Sequence, residues 1–426
     1  MTENECKLLG KLRRVDRAEF WLPTTRLLQM FGYVGTAFVD RPQWDAASRA
    51  IRMDLMACPT STEWPVCPSL IKSLSALDEN RTSKFRELRV SKMAFAISLE
   101  DHFISEAVRT SPQVKAFAFD IFEPHVLNKL FEIREGRVAD LDKGHVRTQV
   151  LSSIPVNQSL DICHRTNLQI AESTRDFPDR FAGFACLPMS DPKAAATELE
   201  YCIKELHFKG ALIPNHASGV YYDRAEYFDF WKKAEELDVV IYLHPSPPHG
   251  ALKEHYQGNY PAELGQILGM QTWGWHADVA VHIQRLYFSG LFDKLHKLKI
   301  AIGHMGEMLP FMRDRIETTT RNILGAHKRG WLDVWNENLW FTTSMFDLTA
   351  MSCLLKTTSI DRIMYSVDYP LVDMEEGPKF MDDLKKSGLV NQEDYEKIMF
   401  KNAERLLGLK VKTSSPDRSE GSAVHL

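Results

Sequence analysis

Eight short apolar runs, spaced through most of the chain, limit the possible folds more than any other feature. They read FAISLEDH (95–102), TQVLSSIP (148–155), FAGFACLP (181–188), GALIPN (210–215), VVIYLHP (239–245), KIAIGH (299–304), LWFTTS (339–344) and RIMYSVDYP (362–370). Each is apolar nearly throughout rather than alternating, the pattern of strands buried on both faces of a parallel sheet. Amphipathic stretches separate them. In DPKAAATELEYCIKEL (191–206), Ala195, Leu199, Cys202, Ile203 and Leu206 share one helical face, and AEYFDFWKKAEEL (225–237) is a second such stretch. After GHMGE, the spacing of Met308, Phe311, Met312, Ile316 and Ile323 predicts a helix with these residues on its inward face. Strand–helix alternation repeated eight times predicts an α/β fold of the closed (β/α)8 TIM barrel type. An open doubly wound sheet ordinarily carries a Gly-rich phosphate loop after its first strand, and LEDHFISEA is not one.

The barrel is expected over residues 93–409. Residues 1–92 form an N-terminal extension with aromatic residues such as Trp21, Phe31 and Trp44 but no readable period. The polar, small-residue tail at 410–426 is expected to be disordered. The longest gap between strands, about 246–298, opens with the Pro/Gly-rich PSPPHGALKEHYQGNY and is expected to lie over the barrel's C-terminal mouth.

The 426 residues are 44% hydrophobic and 26% charged, with a formal net charge of −5. This balance gives no reason to expect a nucleic-acid or membrane surface, and no apolar run approaches the ~18–20 residues of a membrane span. MTENECKLLGKLRR has no apolar core of a secretory signal, and Asp16 and Glu19 among Arg13, Arg14 and Arg17 speak against a mitochondrial leader. The seven cysteines include no CxxC pair and read as reduced thiols, so a cytoplasmic protein is expected.

Polar residues end several of the apolar runs. Glu100 and His102 alternate on one face of the first strand, His244 ends the fifth, His304 the sixth and Asp368 the eighth. Any one of them could be satisfied by local backbone. As a set they are harder to dismiss, because a carboxylate at the end of an apolar run is costly unless paired or bound to a cation. Two carboxylates with two imidazoles suit one divalent transition metal with a position left for water or substrate. The fourth run contains no lysine that could bridge two metals.

LEDHF, FPDRFAGFACLP, FKGALI, VVIYLHP, FSGLFDKLHKLKIAIGHMGEMLPF, FTTSMF, DRIMYSVDYP and KNAERLLGL occur in order over about residues 93–409. Together they resemble the amidohydrolase superfamily, in its metal-dependent decarboxylase branch related to aminocarboxymuconate semialdehyde decarboxylase. Within that branch they are most similar to γ-resorcylate and other ortho-hydroxybenzoate decarboxylases. The resemblance implies that Glu100, His102, His244 and Asp368 ligate one divalent ion, zinc or manganese, with His304 and Glu307 as a catalytic pair beside it. It also implies a small aromatic acid as substrate and a homodimeric or homotetrameric assembly. The family usually has glycine after the serine of the strand-seven motif; here FTTSMF has Met345, which puts the pocket wall in question.

The chemistry expected is non-oxidative decarboxylation of a hydroxylated aromatic acid, with protonation of the carboxyl-bearing carbon before CO2 leaves. Asp368 is the expected proton donor. Glu307, in the first turn of the helix that follows, is expected to fix the tautomer of His304. A lactone or amide hydrolase on the same barrel is the alternative. His249, His276 and His282 in the strand-five insertion are expected in surface or packing roles, and Trp273, Trp275 and Arg285 as core residues or lining of the mouth. Asn167 and Arg180 are expected to be structural.

Overall fold

The computed structural model describes residues 95–111, 123–323 and 329–410; expectations for the extension at 1–92 and for the tail beyond Lys410 lie outside the described residues. Each apolar run coincides with or overlaps one strand: β1 (Ala96–Phe103), β2 (Val146–Ser153), β3 (Phe181–Gly183), β4 (Gly210–Pro214), β5 (Val240–His244), β6 (Lys299–Ile302), β7 (Leu339–Thr342) and β8 (Ile363–Met364). Every paired neighbour is parallel. The strands form two arcs, β1–β3 and β4–β8. Single bridges, Ala185 to Ala211 and Asp101 to Tyr369, join the arcs and close the ring.

Eight main helices follow the strands: α1 (Glu135–Lys143), α2 (Leu160–Asp176), α3 (Pro192–Lys204), α4 (Phe228–Glu236), α5 (Gly274–Phe288), α6 (Leu309–Ile323), α7 (Leu348–Thr357) and α8 (Glu376–Lys386). Local chemistry marks their starts. The Asp191 side chain accepts from the backbone N–H groups of Lys193 and Ala194, with Pro192 at the first helical position, and Asp347 accepts from Ala350 in the same way.

The strands lack alternation because both faces are covered. Leu99, Val150, Phe184, Leu212, Tyr242 and Trp340 fill the interior of the ring, with Leu406 and Leu407 packed against that cluster. Leu151, Ile213, Ile241, Ile300 and Phe341 face outward into the layer shared with the helices.

The predicted face of α6 needs correction. Phe311 and Ile323 are 83% and 72% exposed, Met312 is exposed too, and of the named set only Ile316 is buried. The helix begins at Leu309 because residues 304–308 are not helical, so its inward stripe runs Leu309, Ile316, Thr320. No described helix is long and apolar enough to cross a membrane.

Candidate active site

The register of β1 shifts between Ser98 and Asp101, so Glu100 and His102, two apart, turn into the barrel alongside Leu99, and the backbone of the last strand's extension straps them there. Asp368 N–H donates to Glu100 O (2.9 Å), His102 N–H to Tyr369 O (2.6 Å), and Glu100 N–H to Ser366 Oγ (2.6 Å). β8 itself ends at Met364, so Asp368 stands four positions past it, at φ 68°. From outside the ring the buried Arg137 guanidinium donates to His102 O (2.8 Å) and Gln149 Oε1 (2.6 Å), and lies 4.7 Å over the Tyr369 ring.

Glu100, His102, His244 and Asp368 each offer one ligand atom, and these atoms lie within 4.8 Å of one another. His102 Nε2 is 3.3 Å from Asp368 Oδ1, and His244 Nε2 is 3.3 Å from Glu100 Oε1. His244 donates its Nδ1–H to Pro245 O (2.8 Å), which leaves Nε2 with its lone pair turned to the centre. Burial foremost, aided by the charge of His304 and opposed by that of Glu100, drives both imidazole pKa values down to about 4, so both rings are neutral and able to ligate.

Three buried atoms, Glu100 Oε1, His102 Nε2 and Asp368 Oδ1, have no hydrogen-bond partner among the described residues. Each such group costs about 1–3 kcal/mol. Two carboxylates and two neutral imidazoles converging with unused lone pairs are the donor set that one divalent cation takes up.

Glu100 is held from its other side. Its Oε2 accepts from Tyr242 Oη (2.6 Å) and from the Ser344 hydroxyl. Burial opposes its charge, but the nearby His304, together with the hydrogen bond from Ser344, keeps its pKa below the ordinary range. At Asp368 burial acts with the nearby Glu100 charge and raises the pKa to about 7.

His304 and Glu307 arise from an unusual turn. Residues His304, Met305, Gly306, Glu307 and Met308 all have positive φ, from 48° to 93°. Glu307 is therefore not in the first turn of α6, as the sequence reading had it, but in a left-handed turn that precedes the helix. The turn lays both side chains on one side: His304 Nδ1 is 2.6 Å from Glu307 Oε1. His304 Nε2 lies 3.9 Å from both Glu100 Oε1 and Asp368 Oδ2. Burial disfavours charge on His304, yet Glu307, Glu100 and Asp368 outweigh it and lift its pKa to about 10. Burial likewise opposes charge on Glu307, and His304 with the hydrogen bond from His276 brings its pKa down to about 2.

Of the secondary candidates, His276 departs from its expected packing role: its Nδ1 is 2.6 Å from Glu307 Oε2. The insertion folds back through a π-helical turn, Leu268–Thr272, into the start of α5, and this return brings His276 to the barrel. His282 is buried between Tyr222 N and Asn215 Oδ1, and His249 is exposed. Arg285 is engaged by Asp223 and stacks on Tyr221; Trp273 is exposed, and Trp275 donates to His276. Asn167 bonds both backbone groups of Cys186, and Arg180 the carbonyls of Arg147 and Val146. Tyr242 and Ser344 were not singled out as site residues, although Tyr242 precedes His244 by two and so shares its strand face, and Ser344 is the serine of the strand-seven motif.

Residues 136–409 match the family model described as Amidohydrolase, and the chain belongs to that family. It is 40% identical over 323 residues to Decarboxylase orsB of Emericella nidulans, across 74% of this chain and 98% of that protein. It is 35% identical over 332 residues to the gamma-resorcylate decarboxylase of Polaromonas sp., again across 74% and 98%. The crystal structure of a dihydroxybenzoic acid decarboxylase from Polaromonas sp., with bound manganese and the inhibitor 2-nitroresorcinol, superposes with a TM-score of 0.66 at 34% identity, covering 74% of this chain and 97% of that one.

Proposed function

We propose that the chain is a metal-dependent, non-oxidative decarboxylase of an ortho-hydroxybenzoate-type acid. The convergence of Glu100, His102, His244 and Asp368 beside the His304–Glu307 pair carries this reading, and the decarboxylases it resembles support it. Those four residues would hold one divalent ion, manganese or zinc, which would supply positive charge to offset the anionic oxygens of the substrate. Manganese in the Polaromonas enzyme supports that choice.

The protein's own groups handle the proton. A protonated Asp368 gives its proton to the carboxyl-bearing ring carbon, forming a C–H bond and a cyclohexadienone. The C–C bond to the carboxylate then breaks, CO2 leaves, and its electron pair restores the aromatic ring. His304 returns a proton to Asp368 from Nε2, the nitrogen that faces it. Glu307 keeps the His304 ring oriented through Nδ1. A boundary near residue 92, a cytoplasmic location and a homodimer or homotetramer belong to the same proposal; the exposed Phe311 and Ile323 on α6 support assembly.

The test is CO2 release by the metal-replete protein from a panel of 2-hydroxybenzoates, with lactones as controls. Release from at least one hydroxybenzoate, abolished by Asp368→Asn, is expected. Lactone opening with no CO2 release from any hydroxybenzoate overturns the reading.

A further inference from the structure

The strand-five insertion brings one imidazole to the site that the mechanism above leaves without a task. His276, in the first turn of α5, has Nδ1 2.6 Å from Glu307 Oε2, while His304 Nδ1 takes the other oxygen, Oε1, at 2.6 Å. The hydrogen that His276 directs at Glu307 follows from the carboxylate itself. The Glu307 carboxylate oxygen can only accept, so Nδ1 carries a hydrogen, while Nε2 lies 2.9 Å from the Trp275 indole N–H and 3.2 Å from Gln271 O. The His276 and His304 rings meet edge to face, with centroids 4.6 Å apart and planes at 67°. Glu307 is buried, so each carboxylate oxygen needs a donor, and His276 supplies one of the two.

A carboxylate held at one oxygen can swing about its side-chain torsions; held at both, its plane is fixed, and with it the ring it bonds. We propose that His276 is a positioning residue for the decarboxylation. It clamps Glu307 from the side of the insertion, and Glu307 in turn keeps His304 Nε2 aimed at Asp368. The proposal rests on the functional reading above and extends it: through His276 the insertion completes the proton-handling group.

The experiment compares the zinc-loaded full chain with His276→Ala and His276→Asn, since the asparagine amide can place an N–H where Nδ1–H stands. On a hydroxybenzoate that the parent turns over, H276A is expected to lower kcat on the order of tenfold to a hundredfold with KM little changed, and H276N to recover most of the loss. The second readout does not need turnover: the hydrogen-bonded imidazole N–H of His304 in the NMR spectrum is expected to broaden away in H276A and persist in H276N. Parent-like kcat and spectrum in H276A overturn the proposal, as does an H276N no better than H276A. If H276A does not fold, the His304 signal in H276N decides: persistence supports the clamp and loss overturns it. If the parent releases no CO2, the functional reading fails by itself, and the same spectra still decide whether His276 orders His304 through Glu307.

Discussion

Met345 holds φ at 94° and Phe346 at 51°, a region that side chains other than glycine enter at a cost of roughly 1–2 kcal/mol. The residue before them, Ser344, donates to Glu100, so the strain sits next to the candidate ligand set. Phe346 has compensation, since its ring stacks on Phe380 at 5.1 Å. Met345 is 57% exposed and has little packing to offset the backbone cost. Met345→Gly is therefore expected to raise stability by about 0.5–1 kcal/mol, the relief of strain exceeding the added chain entropy of glycine; a lower urea midpoint for the variant contradicts this account. At this scale the sequence was readable where period two applied. Glu100 and His102 fall on one face by counting alone. The same count would have reached Tyr242 from His244. His276 was not readable, because its place depends on where a long insertion returns, and no local spacing encodes that.

Among the elements, the strands were legible and the turn after β6 was not. A strand covered on both faces leaves a continuous apolar run, which survives without any knowledge of tertiary structure. Five consecutive left-handed residues leave no such trace: only Gly306 among them hints at positive φ, and the helical spacing that follows invites the reader to start α6 too early. That is why Glu307 was assigned a helix's first turn and why the α6 face came out rotated. Gly303, which directly follows β6, makes the site's tolerance testable. A Cβ there would stand 2.7 Å from Glu100 Oε2 and 2.8 Å from Tyr242 Oη, closer than real side chains approach. Gly303→Ala is expected to displace the Glu100 carboxylate, leaving the folded protein with sub-stoichiometric metal by elemental analysis. A variant with full metal content and parental activity would show that the carboxylate has slack the structure does not suggest.

For the molecule as a whole, the cost of three unpartnered buried polar atoms makes stability depend on what fills the centre. A ligand that binds only the native state stabilises it by about 2.7 kcal/mol at a free concentration 100 times its Kd. Stripping the protein with a chelator is expected to lower Tm by several degrees, and adding back manganese or zinc to restore it. An unchanged Tm in protein shown to be metal-free would remove the cation from the account of this site. The ring closes where Asp368 N–H meets Glu100 O and His102 N–H meets Tyr369 O, so the earliest and latest strands share one pocket. On the ribosome, a chain emerging residue by residue exposes Glu100 and His102 long before their companions exist. On the proposed reading, the four-residue set can take up an ion as a whole only after synthesis has passed Asp368.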